Sequence, residues 1–186
     1  MTIAIYGGSF DPPHIAHVLA VHYVLSIEPI DRVLVVPVYR HAFDKELTPF
    51  LQRVALCEAA FSGDSRISVS TIESELSAPS YTLHTLQALQ KRYPEEKMRL
   101  VMGGDVAREI PHWHRFDEVE KIAEPLILAR QGIARVASPK AILPEISSTE
   151  ARKWFRVKPS QEEKRNRERL IPFSVRELIE KEKLYQ

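Results

Sequence analysis

Cysteine occurs once in these 186 residues, at Cys57, so the chain cannot close an internal disulfide. Cys57 lies in "LQRVALCEAAF", where Val54, Leu56, Ala60 and Phe61 share one side of a helical pattern, and it reads as a small core thiol. The first residues, Met1 to Tyr6, carry no cationic head and no long apolar segment, so a signal peptide is not expected. With no disulfide framework, this points to the cytoplasm. No run approaches ~18 consecutive apolar residues, so no membrane span is expected. An excess of one charge is also missing: 26 Lys and Arg face 25 Asp and Glu, for a net charge of +1. That balance argues against a broad footprint for duplex nucleic acid. Glycine is scarce, with six in all, yet four stand in two adjacent pairs, Gly7-Gly8 and Gly103-Gly104.

What is present is an ordinary globular composition, 44% apolar and 27% charged, enough for a sizeable core. The length suits one domain over residues 1–186, with residues from about 145 onward forming a small helical part. Short apolar runs alternate with helical patterns. Strands are expected at 2–6, ending before Gly7, and at 32–38, 66–70, 98–104 and 125–130. Helices are expected at 14–27, 48–61 and 80–93 and from near Ser148 and Ser174, with Thr48 as a cap and Pro49 in the first turn. "RVLVVPV" shows no polar alternation, the mark of a strand covered on both faces. The order implies an α/β fold with a parallel sheet flanked by helices. Ligands of such sheets lie beyond the carboxyl ends of the strands. Both glycine pairs fall there. The mixed-charge stretch "SQEEKRNRERL" (160–170) reads as a solvated helix or surface loop.

The richest stretch is "GGSFDPPHIAH". Gly7 and Gly8 allow a ligand to approach the backbone, and amides opening a helix are ready donors to an anion. His14 and His17, three apart at a helix start, lie on one face and can donate to phosphate oxygens. The stretch is neither a Walker A sequence nor a G-x-G-x-x-G fingerprint. Far along the chain, "EISSTEARKWF" offers hydroxyls at Ser148 and Thr149 before a helix, with Arg152 on the same turn. Together they form a plausible phosphate clamp.

These two motifs together resemble the nucleotidyltransferase superfamily with (H/T)xGH and ISSTxxR signatures. Within it the chain is most similar to bacterial nicotinate-nucleotide adenylyltransferases. "SYTLHTLQAL", "VMGGD" followed by Trp113, and "LIPFSVRELIEKEKLY" fall in the family's order. The resemblance implies a Rossmann-like nucleotidyltransferase fold and a reaction joining ATP to nicotinate mononucleotide in NAD biosynthesis. The mononucleotide's 5′-phosphate attacks the ATP α-phosphate and releases pyrophosphate. By carry-over, His14, His17 and Arg152 are the catalytic set, with His17 at the α-phosphate. Ser148, Thr149 and Arg152 hold the leaving pyrophosphate, and Mg²⁺ bridges it. Gly7, Gly8, Ser9 and Phe10 line the dinucleotide path. Gly103 and Asp105 lie toward the adenosine, Asp105 being alternatively a helix cap. Ser9, Phe10, Lys45, Thr82 and Trp113 lie toward the mononucleotide, Trp113 being alternatively a core residue and Thr82 a cap. No protein-held metal cluster and no nucleic-acid partner are implied, and a homo-oligomer is left open.

Three departures from the family pattern stand out. Ala16 replaces a glycine, "VYRHAFDKEL" replaces a proline-rich loop that contacts phosphates, and residues 156–170 lack a customary glycine. Lys45, with His41 or Arg40, is the best substitute in that loop. Alternatives are a nicotinamide-mononucleotide or phosphopantetheine-type adenylyltransferase, and a non-catalytic nucleotide sensor. A metal hydrolase on His14, His17, His112 and His114 lacks a matching carboxylate constellation.

Overall fold

A computed structural model describes residues 1–40, 46–128, 143–156 and 158–186. In chain order the elements are β1 (Thr2–Gly8), α1 (Ile15–Ile27), β2 (Arg32–Pro37), α2 (Phe50–Phe61), β3 (Ile67–Val69), α3 (Thr82–Arg92) and β4 (Lys97–Gly103). They continue with α4 (Gly104–Ala107), α5 (Phe116–Ile122), β5 (Ala123–Leu128), α6 (Ser148–Lys153), α7 (Gln161–Leu170) and α8 (Phe173–Lys181). Short 3₁₀ turns occupy Ile72–Glu75 and Ile110–His112. The five strands form one parallel sheet in the order β3-β2-β1-β4-β5. Among the described residues no helix is long and apolar enough to cross a membrane.

The core lies on both faces of the sheet, which is why its central strands read as unbroken apolar runs. In β1, Ala4 and Tyr6 face a cluster built with α1, α2, α6 and α8, while Ile3 and Ile5 face one built with α3 and α5. Val33 to Val36 of β2 are all buried and divide between the same two clusters. Leu83, Leu86 and Leu89 of α3, at helical spacing, are buried against the second face. Each such side chain contributes roughly 1.5–3 kcal/mol when fully buried. Ala151, Trp154, Phe155, Val175 and Ile179 join the first cluster, so the C-terminal helices share the core beneath α1 and α2. Ala16 is 1% exposed and packs there too, so the methyl that departs from the family pattern is taken up by the core.

The structure departs from the sequence reading at two points that shape the crevice. The pattern ends β1 before Gly7, but the strand runs through Gly8, pairing Gly7 with Val36 and Gly8 with Pro37. Its pairing with β4 ends earlier, at Tyr6 with Val101. The glycines stay tied to β2 while parting from β4, so the sheet splits at the point where the strand order reverses. The second departure is at α2, where Thr48 is not the cap; Pro49 takes the cap position. Thr48 instead spends its backbone on distant groups. Its N–H donates to Asp11 Oδ2 (3.1 Å) and its carbonyl accepts from Arg53 Nε (2.8 Å). The stretch 160–170, expected as a helix or loop, is a helix. Ser160 and Glu163 form a reciprocal capping box at its start.

Candidate active site

The crevice outside β1 and β4 collects the sequence-singled residues from four parts of the chain. Gly8 is followed by Phe10, whose φ of 47° is left-handed backbone for a residue with a side chain. The turn lays the Phe10 ring against Gly8, where a Cβ would stand 3.1 Å from the ring. A side chain at Gly8 would therefore press on the Phe10 ring, a constraint of packing rather than of its own dihedral. Phe10 is 1% exposed and presents its ring edge-on to His17 at 5.0 Å and to Tyr6 at 5.5 Å.

His14 is the N-cap residue of α1, and His17 lies one turn on. The rings stack with centroids 3.7 Å apart and 21° between planes. The His14 backbone N–H donates to His17 Nδ1 at 3.1 Å. That bond makes Nδ1 an acceptor, so the neutral ring carries its proton on Nε2, the nitrogen that can donate onward. His14 is buried and His17 half-buried.

The second motif closes on the first. Ser147 caps α6, its Oγ accepting from Glu150 N–H (3.1 Å). Ser148 Oγ donates to the Pro12 carbonyl at 2.9 Å, and Arg152 Nη1 donates to the Asp11 carbonyl at 2.7 Å. Arg152 Nη2 reaches Thr149 Oγ1 at 3.3 Å, which fixes the guanidinium beside the two hydroxyls. Segments more than 130 residues apart thus form one wall holding His14, His17, Ser148, Thr149 and Arg152.

Sequence reasoning missed the layer beneath. Asp11 is 2% exposed: its Oδ1 accepts from Tyr185 Oη (2.6 Å), and its Oδ2 stands 3.6 Å from Arg152 Nη1. Arg53 is 1% exposed and donates from Nη1 to the Ser9 carbonyl at 3.0 Å. Burial lowers its pKa from the ordinary arginine range, while Asp11, its strongest charged neighbour, pulls the other way. One local signal was available: Arg53 sits at helical spacing with Leu56, Cys57 and Phe61, a charge inside an apolar stripe. Cys57 itself is fully buried, and burial pushes its thiol well above the ordinary range, as befits a core residue rather than a nucleophile.

On the other side of β1, Gly103 caps α4 and Asp105 lies in its first turn, so Asp105 is not the cap. Its carboxylate turns back over Gly103, at the place a Cβ would occupy there. Thr82 is the first residue of α3, with Tyr81 in the cap position. Trp113 is half-buried, its ring edge-on to Phe116 at 5.8 Å on the second core cluster. Neighbours of Thr82 and Trp113 meet directly, since Tyr81 and His114 stack at 4.7 Å. The backbone after β2 is held at the same edge. Tyr39 N–H donates to Glu73 Oε2 (2.9 Å), Thr85 Oγ1 donates to Glu73 Oε1 (2.9 Å), and Arg40 and Ser80 exchange backbone and hydroxyl bonds. Lys45 and His41 lie outside the described residues. No group of three His, Cys, Asp or Glu able to hold a metal occurs among the described residues.

Residues 5–154 match the family described as cytidylyltransferase-like. The protein named "Probable nicotinate-nucleotide adenylyltransferase" of Anaeromyxobacter dehalogenans (strain 2CP-C) is 35% identical over 187 residues, covering 99% of this chain and 96% of that relative. The nicotinate-nucleotide adenylyltransferase of Bacillus subtilis (strain 168) is 30% identical over 192 residues, covering 99% and 98%. Among solved structures, the Plasmodium falciparum nicotinic acid mononucleotide adenylyltransferase complexed with NaAD superposes with a TM-score of 0.81 at 25% identity, covering 99% of this chain and 97% of that one. The fold is therefore the Rossmann-like nucleotidyltransferase fold.

Proposed function

The chain belongs to the nicotinate-nucleotide adenylyltransferases of the cytidylyltransferase-like family, and on that premise we propose that it joins ATP to nicotinate mononucleotide, releasing pyrophosphate, in NAD biosynthesis. The observation that carries the reading is the meeting of the two end motifs. Ser148 and Arg152 are hydrogen-bonded to the very loop that positions His14 and His17.

The reaction is a displacement at phosphorus. A phosphate oxygen of the mononucleotide forms a bond to the ATP α-phosphorus as the α–β bridging bond breaks, and the electron pair leaves on pyrophosphate. The nucleophile is already an anion, so no strong base is required. Alignment of the two substrates and neutralisation of charge supply the rate. We assign His17 Nε2–H to a non-bridging α-phosphate oxygen, with the stacked His14 beside it. Ser148, Thr149 and Arg152 face the leaving pyrophosphate, and the Gly7–Phe10 backbone lines the path between substrates. Gly103 and Asp105 take the adenosine side, where a carboxylate can accept from ribose hydroxyls. Thr82 and Trp113 take the pyridine side. A divalent cation, which we take to be Mg²⁺, would arrive on the ATP phosphates. Mg²⁺ is commonly held by substrate phosphates and one or two carboxylates rather than by a protein cage.

We also read residues 1–186 as one domain, the C-terminal helices sharing a core with α1 and α2. The buried, unpaired thiol of Cys57 suits a cytoplasmic enzyme.

Kinetics with ATP and each mononucleotide tests the function. We expect turnover with nicotinate mononucleotide to exceed that with the nicotinamide form, and no turnover with either would overturn the assignment. Trp113→Ala should weaken the pyridine mononucleotide by about 1 kcal/mol, more than it weakens ATP. Equal losses for both substrates would return Trp113 to a purely packing role beside Phe116.

A further inference from the structure

Resting on the proposed function, we propose that Tyr185 is a positioning residue for the phosphate end of the site, holding the Asp11 carboxylate so that Arg152 stays available to the triphosphate. Asp11 is buried, has Arg53 and Arg152 as charged neighbours, and binds three other segments of the chain. Its backbone carbonyl takes Arg152 Nη1 at 2.7 Å, Oδ2 takes Thr48 N–H at 3.1 Å, and Oδ1 takes Tyr185 Oη at 2.6 Å. Arg53, behind the same loop, binds the carbonyls of Ser9 and Thr48. Of the two arginines Arg152 is the partly exposed one, its side chain 27% exposed, with Asp11 Oδ2 at 3.6 Å. Two anions therefore compete for one guanidinium: the buried carboxylate of Asp11 and the phosphates of ATP.

Tyr185 and Thr48 decide that competition by satisfying the carboxylate from its other sides. Burial and the Asp11 charge raise the Tyr185 hydroxyl above its ordinary range, so it remains a donor. Without that donor, Oδ1 would be a buried oxygen lacking its partner, and a charged oxygen in that condition turns to the nearest cation. The chain after α8 is shaped to make the delivery. Lys183 and Tyr185 both adopt left-handed backbone, with φ of 53° and 64°, which side-chain-bearing residues seldom do. The Tyr185 ring also rests against Phe155, three residues beyond Arg152, at 6.2 Å. One side chain thus braces both the turn that ends the arginine's helix and the carboxylate beneath it.

The test uses the full chain and the isosteric variant Tyr185→Phe, which keeps the ring packing. We expect the Kd for ATP and for pyrophosphate, read by titration calorimetry, to rise about tenfold, the equivalent of one hydrogen bond to a charged group. The KM for the mononucleotide should stay within about twofold. The same substitution should cost less than about twofold in ATP affinity when Arg152→Ala or Asp11→Asn is already present, because coupled groups do not add. Thermal unfolding of every variant separates these effects from loss of fold, and the Asp11→Asn comparison stands if Tyr185→Phe alone is unstable. Equal losses for both substrates, or an undiminished loss in the Arg152→Ala and Asp11→Asn backgrounds, would overturn the proposal. ATP and pyrophosphate binding need no turnover. A chain that binds ATP but fails with nicotinate mononucleotide would sink the functional reading and still decide this one.

Discussion

His17→Ala lowers kcat by on the order of 10²-fold or more, the loss expected when a preorganised donor to transition-state charge is removed. The geometry makes His17 the better placed of the two histidines. Its Nδ1 is engaged by the His14 N–H, which sets the tautomer, and its ring is held between the stacked His14 and the edge of Phe10. Such a side chain needs no reorganisation when charge develops. Because His17 is only half-buried and its removal takes away one side of the capping box of α1 while His14 stays at the cap position, the variant should stay folded. Steady-state rates with saturating ATP and nicotinate mononucleotide check this. A kcat equal to the parent's would remove His17 from the chemistry.

Arg53→Met destabilises the fold by about 3 kcal/mol, because it leaves buried groups unpaired rather than merely deleting a contact. The thioether fills much of the same volume but cannot donate to the carbonyls of Ser9 and Thr48. It also removes a buried positive charge that interacts with Asp11. For a chain of this size that corresponds to a fall of roughly 6–12 °C in Tm. Chemical denaturation gives the free energy directly, and a loss under about 0.5 kcal/mol would show that the centre adds nothing to stability. Activity should fall further than stability, since Ser9 and Asp11 belong to the loop that leads into His14.

Much of the architecture was legible in the chain. Strand-length apolar runs without polar alternation, such as "RVLVVPV", could only be buried on both faces, and the alternating helical patterns made the sheet parallel. The paired glycines marked the crevice, and the two end motifs marked its walls. Two local readings failed for the same reason. Gly7 and Gly8 looked like a strand end because glycine breaks local order, yet β2 continues to pair with them. Thr48 looked like a cap because threonine caps helices, yet Asp11 and Arg53 claim its backbone. In both cases a partner from elsewhere outbid the local preference.

Periodicity, turn chemistry and capping act over a few residues, and so the sequence alone determined the strands, most of the helices, their order and the residue types at the strand ends, while α5 was not read from it. It also pointed to the superfamily through the two end motifs, and to the family within it through the motifs between them. Tertiary structure alone decided which charges are buried and what they hold. Asp11, Arg53, Arg152 and Tyr185 are scattered along the chain, and the bonds that tie Asp11 and its loop to the others all come from distant segments. A buried charge is stable only when groups from several segments surround it, and that arrangement exists nowhere until the chain has folded.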